Sequence, residues 1–418
     1  MQLAYVIVSW LARGKLGEAL RGQRQALKFL RQKIATQKPK GPVIWFHVSS
    51  AGEFLQAKPV IESLKKEKPN IFIALSFISP SGMRWAKDFT LADFIGYAPI
   101  DSRSNIRRWI KLLQPKALVL VKFDVWPNMV LQSQHEGLST FMISATLTTS
   151  SMRNRLGWVR RFFSQVYAGI DHILCVGQKD YELFLQSNPR HPDLRIVGDT
   201  RVDSVLNRQA LAAEKSLSPQ LQALRQAFRL IVVVGSAWPP DEEKILPCWK
   251  LMQSQYPDCL LVLAPHEIKH LSQTERRIHA AGLTSLRYSQ YLQQEKAALR
   301  EDILLIDQIG LLADLYRIGD GAFVGAGAGG VHNTMEPAAW GLPVVFGPVY
   351  QNAPEAIEML EAGIFESVPN EMECFKVFEK WLKNSQNAKE TGKKARLFLE
   401  KSRGVTYKCT QSILQELK

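Results

Sequence analysis

At 418 residues the chain is too long for one ordinary hydrophobic core, so two domains are expected. Its 46% hydrophobic and 22% charged residues fit a folded globular protein, and no low-complexity tract or internal repeat is present. The net charge of +14 points to an anionic partner (nucleic acid, an anionic membrane surface or an acidic substrate) without choosing among them. Cys175, Cys248, Cys259, Cys374 and Cys409 are scattered with no C-x-x-C pair, which reads as reduced cytoplasmic thiols and excludes a disulfide frame or a zinc ribbon.

In chain order, Leu3–Ala12 is apolar but short of the ~20 residues a bilayer span takes, and it makes a poor signal peptide. Arg13, Lys15, Arg21, Arg24, Lys28, Arg31 and Lys33 follow. Two readings stay open: an interfacial anchor on anionic lipid, or a helix whose apolar end packs on its own domain. From Val43 the pattern becomes strand–helix alternation: strands over Val43–Ser49, Ile71–Ser79, Phe94–Ile100, Ala117–Phe123, Phe141–Leu147 and His172–Gly177, with helices over Glu53–Lys65, from Pro80 and from Ser104. A polar, helix-prone run over Leu206–Ala227 interrupts it, and Leu230–Ser236 restarts it, followed by Cys259–Pro265 and a strand near Leu304. Such alternation predicts doubly wound parallel sheets: two Rossmann-like domains facing a central cleft. The expected division is 1–204 and 205–386, with 387–418 as a basic helix that crosses back.

Several strand ends carry chemistry. Glu53 lies in SSAGEF on the first turn of a helix, where the dipole favours a carboxylate; it reads as helix-start charge or as a general base toward a hydroxyl. Lys122 and Asp124 follow another strand in KFDVWPN, and Arg201 in GDTRVD suits an anionic acceptor or a solvated domain edge. Gly235 and Ser236 in GSAWPPDEE offer donors to an anion. His266-Glu267-Ile268-Lys269-His270 matches the zinc-protease pattern H-E-x-x-H, yet Pro265 sets it on a strand-to-helix corner with no third ligand at a recognisable spacing. In Asp307–Pro348, a short helix over Leu311–Tyr316 and a strand over Gly321–Val324 lead into a turn at Gly325, Gly327, Gly329 and Gly330. Asn333 then caps a helix to about Trp340, with Glu336 in its first turn. A glycine turn feeding a helix start is a phosphate site and points to a nucleotide or sugar-nucleotide, or it simply closes a tight corner.

Taken in order, SSAGEF, SFISPSG, KFDVWPN, ISATL, GDTRVD, GSAWPPDEE, LAPHE, DQIGLLADLY and GGVHNTMEPAAWGLPVVFGP resemble the Kdo transferases (3-deoxy-D-manno-octulosonic-acid transferases) of lipopolysaccharide assembly, from about Val43 to Phe365. The resemblance implies a GT-B glycosyltransferase that moves Kdo from CMP-Kdo to the 6′-hydroxyl of a phosphorylated lipid A precursor, with inversion and no metal. It implies that Glu53 is the base. Donor contacts would fall on Ser236, Pro265, His266, Gly310, Leu311, Leu312, Gly330 and Asn333-Thr334-Met335-Glu336, and acceptor contacts on Lys122, Asp124 and Arg201. The expected place is the cytoplasmic side of an inner membrane, held peripherally. Two departures stand out: His266 where many members have Arg, which predicts donor affinity that falls as pH rises, and Asp124 where Glu is common. Other readings are a GT-B enzyme using a UDP-sugar, a basic membrane-binding protein with a degenerate nucleotide site, and a zinc hydrolase. Nucleic acid is not an expected partner, because aromatic-interleaved basic patches are absent.

Overall fold

Short runs of β-branched and aliphatic residues, apolar on both faces, make the central strands of parallel sheets rather than the alternating strands of half-exposed ones. The computed structural model describes residues 14–147, 157–188, 190–294, 299–327 and 329–417; the apolar segment Leu3–Ala12 lies outside them. Its contacts divide the chain into two units, Met1–Asp203 with Gly404–Lys418, and Ser204–Arg403.

The first unit holds β1 (Val43–Val48), β2 (Phe72–Phe77), β3 (Phe94–Tyr97), β4 (Ala117–Val121), β5 (Ser139–Ala145), β6 (His172–Cys175) and β7 (Leu194–Ile196). All neighbours pair in parallel, in the order β3-β2-β1-β4-β5-β6-β7. Successive side chains of β1 therefore enter opposite cores. Trp45 packs with Trp109 and Ile110 of the helix Arg103–Leu113, while Ile44, Phe46 and Val48 share the other core with Phe54, Val60 and Ile61 of the helix Ala51–Glu67. Val405, Cys409 and Ile413 of the helix Val405–Gln415 join that second core. Asp203 fixes the helix start by accepting from the N–H groups of Gly404 (2.8 Å) and Thr406 (2.7 Å).

The second unit holds β8 (Leu230–Ala237), β9 (Cys259–Pro265), β10 (Ser285–Arg287), β11 (Ile303–Leu305), β12 (Gly321–Val324), a two-stranded antiparallel hairpin of β13 (Ala326–Gly327) and β14 (Gly330–Val331), then β15 (Val344–Phe346) and β16 (Glu366–Ser367). Its seven-stranded sheet runs β10-β11-β9-β8-β12-β15-β16, again parallel throughout. The return to the first unit falls between Arg403 and Gly404, not at residue 387. The helix Ser385–Lys401 stays with the second unit because Gly392 lets it lie on the Gly341 backbone.

Two sequence expectations change near the end of β12. The glycine run does not feed a helix directly, because Gly327 and Gly330 pair in the hairpin first. The helix after Asn333 is also short, Met335–Ala339, with Thr334 rather than Asn333 as its flanking residue. Among the described residues no helix is long and apolar enough to cross a membrane.

The Gly392 contact gives a stability prediction. A β-carbon at 392 would sit 1.8 Å from the Gly341 carbonyl oxygen. Gly392→Ala should cost about 1–3 kcal/mol through overpacking and lower the thermal midpoint by several degrees in a melting scan. An unchanged midpoint would mean that the helix shifts freely there.

Candidate active site

In a doubly wound sheet, ligands bind beyond the carboxyl ends of the strands where the winding reverses. In the first unit that place is between β1 and β4. The chain leaving β1 passes Ser49 and Ser50 into the helix Ala51–Glu67, and the chain leaving β4 passes Lys122 and Asp124. Glu53 and Asp124 thus come together from separate sequence segments.

Ser50 caps the helix, its hydroxyl oxygen accepting from the Glu53 N–H at 3.3 Å. The Glu53 carboxylate turns back over this cap. Its Oε2 accepts from the Ser49 N–H (2.5 Å) and its Oε1 from the Ser50 hydroxyl (3.2 Å). Only 6% of the residue is exposed. Burial pushes its pKa up to about 7, helped by the negative charge of Asp124; the Ser49 N–H, the Ser50 hydroxyl and the Lys122 cation pull the other way. A carboxylate poised near neutrality is what a general base requires.

Asp124 is held differently. One oxygen accepts from the Ser49 hydroxyl and from the Trp126 indole N–H at 2.9 Å, and lies 3.8 Å from His47 Nε2. His47 is buried within β1, its Nδ1 2.9 Å from the Ser76 hydroxyl, which also receives the Trp45 indole N–H. Burial lowers the His47 pKa to about 3, so the ring is neutral. Lys122 adopts a left-handed backbone (φ 66°), as do Ser144 in β5 (φ 46°) and Ser236 in β8 (φ 56°). Each conformation costs about 1–3 kcal/mol and is characteristic of functional strand ends. Arg201 does not project as a docking cation: its guanidinium donates to both oxygens of buried Asp199, which also accepts from Gln56 one turn beyond Glu53. Asp199 and Arg201 therefore brace the helix that carries Glu53.

In the second unit the winding reverses between β8 and β12. Ser236 lies near the end of β8, Pro265 ends β9 with His266 just after it, and Gly310-Leu311-Leu312 follow β11. His266 stacks on Trp238 (4.4 Å, 20°) and on His332 (4.4 Å, 25°), and the Trp238 indole donates to His332 Nε2 at 2.8 Å. Burial lowers the pKa of His266, and brings that of His332 down to about 4 with the neighbouring His266 adding to it. For both imidazoles burial favours the neutral ring, a direction opposite to the charged His266 that an arginine-like role would need. Asp241 ties this corner together, accepting from the N–H groups of Trp238 and Ala326, both at 3.0 Å.

The remaining predicted donor residues divide by exposure. Gly310 lies in an open loop at φ 89°. Gly330 is buried, and a β-carbon there would overlap the Asn352 amide. Thr334 and Met335 are fully buried, and the Met335 N–H already donates to Asn333 Oδ1 at 3.2 Å. Glu336 is partly exposed and pairs with Arg208 at 3.1 Å. The H-E-x-x-H residues do not gather as the zinc-protease pattern would, and among the described residues no group of three metal-ligating side chains is found: Ile268–His270 is a single 3-10 turn, His270 pairs with Glu267 (3.0 Å), and His266 turns into the aromatic stack. Sequence reasoning missed His47, Ser49, Trp238 and His332. Three of them lie inside quoted motifs, Ser49 in SSAGEF, Trp238 in GSAWPPDEE and His332 in GGVHNTMEP, which were the available signal.

Residues 22–204, which include the whole first sheet, match the family model described as 3-Deoxy-D-manno-octulosonic-acid transferase (kdotransferase). The 3-deoxy-D-manno-octulosonic acid transferase of Haemophilus influenzae is 27% identical over 328 residues, 77% of this chain and 74% of its own. That of Aquifex aeolicus is 27% identical over 358 residues, 84% of this chain and 89% of its own. Among solved structures, the UDP-GlcNAc 2-epimerase of Neisseria meningitidis superposes with a TM-score of 0.61 at 15% identity, over 90% of this chain and 99% of that one, a likeness of fold alone. With its two Rossmann-like units, its matching first sheet and relatives aligned along most of its length, the chain is similar to the Kdo transferases and is a glycosyltransferase.

Proposed function

We propose that the protein transfers Kdo from CMP-Kdo to the 6′-hydroxyl of a phosphorylated lipid A precursor, with inversion and without a metal, and that Glu53 is the general base. The observation that carries this reading is the Glu53 carboxylate: buried, aimed back over its helix start and held close to neutral pKa at the reversal of the first sheet. The acceptor hydroxyl oxygen attacks the anomeric carbon of Kdo and its proton passes to Glu53. The bond from that carbon to the phosphate oxygen breaks, and CMP leaves with the electron pair. Ser236, Pro265, His266, Gly310, Leu311, Leu312, Gly330 and Asn333 through Glu336 form the donor side of this proposal. Neutral, stacked His266 suits a nucleobase better than a phosphate, because it offers a flat π-face rather than a charge. On the acceptor side, Lys122 is the remaining cationic candidate after Arg201 is committed to Asp199.

The proposed location is the cytoplasmic face of an inner membrane, with peripheral attachment. The helix Gly14–Thr36 supports it: Arg21, Arg24, Lys28, Arg31 and Lys33 lie along it, and Leu16 and Phe29 are exposed.

The founding experiment is Kdo transfer from CMP-Kdo, generated in situ, to a tetraacyl lipid A precursor in the presence of chelator. Glu53→Gln should lower turnover about 10²–10⁴-fold, the usual worth of a general base. Activity retained in that variant would remove Glu53 from the role, and competition by UDP rather than CMP would point to a UDP-sugar donor.

The pH dependence has a defined sign. A base must be ionised, so kcat/KM should rise through an inflection near pH 7 and fall about tenfold per unit on the acid side. An inflection near pH 4.5 would mean that the acting carboxylate is an ordinary one.

Donor binding should behave oppositely to a charged-histidine site. Because burial lowers the His266 pKa and favours the neutral ring, CMP affinity measured by calorimetry between pH 7 and 8.5 should change less than about twofold. A steady decline over that range would restore a charged His266.

A further inference from the structure

Asp124 has so far stood only as an acceptor contact, but its surroundings suit another task. Three groups face its carboxylate from three directions: the Ser49 hydroxyl after β1, the Trp126 indole N–H two residues on, and the His47 ring edge inside β1. His47 Nε2 is fully buried, makes no hydrogen bond of its own and lies 3.8 Å from the Asp124 oxygen. With Ser76 beside its Nδ1, the ring is fixed against rotation, and a neutral tautomer carrying the proton on Nε2 turns a donor toward Asp124.

Ser49 is the link between the two acids. Its backbone N–H serves Glu53 and its hydroxyl serves Asp124. One residue thus sets the spacing of both carboxylates, and it distributes donors unequally. Asp124 has the hydroxyl and the indole, with the imidazole edge 3.8 Å away; Glu53 has one amide and the Ser50 hydroxyl. When two carboxylates share a site, the better-solvated one keeps its charge and the other holds the proton more tightly.

Resting on the general-base reading of Glu53, we propose that Asp124 is a positioning residue: it stays ionised, held by Ser49, Trp126 and His47, and its fixed charge makes Glu53 a stronger base. The other charges that bear on Glu53 and its neighbours are Lys122, which opposes Asp124, and Asp180, which Lys122 also faces. The burial-driven rise of the Glu53 pKa, with Asp124 adding to it, agrees in direction.

Two substitutions test the proposal with opposite signs. Asp124→Asn removes the charge and keeps an oxygen for Ser49 and Trp126; Lys122→Met removes the opposing cation. The Glu53 carboxyl is titrated directly by 13C NMR, assigned by the signal lost in Glu53→Gln, so the result does not depend on which sugar is transferred. In Asp124→Asn the Glu53 proton affinity should fall about tenfold, and in Lys122→Met it should rise. The acid limb of kcat/KM should move the same way in each, and Asp124→Glu should restore the limb toward the parent value. A thermal scan confirms folding; if Asp124→Asn does not fold, the Lys122→Met titration alone decides whether Glu53 senses its neighbours. A Glu53 titration unmoved in both folded variants overturns the coupling, even where Glu53→Gln abolishes transfer. Shifted titrations with Glu53→Gln fully active keep the coupling and remove Glu53 as the base.

Discussion

A parallel sheet wound outward in both directions must reverse somewhere, and at the reversal two adjacent strands send their chains to opposite faces. No crossover covers the sheet edge between them. In the first unit that uncovered edge lies between β1 and β4, and in the second between β8 and β12. Much of the candidate chemistry follows from this topological fact. Glu53 arrives from β1 and Asp124 from β4; Trp238 arrives from β8 and His332 from beyond β12. Helix starts and strand ends supply the donors, and nothing in the regular hydrogen-bond ladder competes for them.

The two edges use the same geometry for different chemistry. At the first, burial acts on a carboxylate and raises its proton affinity; at the second, burial acts on imidazoles and lowers theirs. Desolvation always disfavours the charged form, so acids become better proton acceptors and histidines become neutral rings. One edge thereby presents a carboxylate with raised proton affinity, and the other a stack of flat rings that burial holds toward the neutral form. The costs are visible in the fold: buried Glu53 is short of donors, and Lys122, Ser144 and Ser236 hold left-handed backbones at strand ends. Stability is given up where it would otherwise fill the site.

Much of the fold was legible because the strands are buried on both faces and so read as continuous apolar runs between helical stretches. Glu53 was legible as a helix-start carboxylate from its place on a first turn after a strand, but its candidacy as a base rested on the resemblance of SSAGEF and its companion motifs to the Kdo transferases. What stayed hidden depends on contacts distant in sequence. His47 reads as one polar residue in an apolar strand, and only the pairing of β1 with β2 and β4 brings Ser76 and Asp124 to its two nitrogens. His266 stacks between Trp238 and His332, which lie 28 and 66 residues away in the numbering, so its burial could not be read from its neighbours in sequence. Arg201 looked available because its partner Asp199 is only two residues off, a spacing that carries no pairing rule outside regular structure. The glycines at 327 and 330 read as a bare turn because a two-residue strand has no periodicity to detect.

The bracing of the Glu53 helix is the last link between fold and site. Gln56 sits one turn beyond Glu53, and its side chain and carbonyl are taken by Asp199 and Thr200. Thr200 in turn contacts Ser144 at the end of β5, and Asp203, a few residues on, holds the start of the helix Val405–Gln415. That helix packs on the same core as the Glu53 helix. The last segment of the chain therefore returns to the first unit to support the element that carries Glu53. A carboxylate whose basicity depends on distances to Asp124 and Ser49 needs such support, because electrostatic coupling at close range changes steeply with position. The polar residues around Gln56 hold a distance, and the distance sets the chemistry.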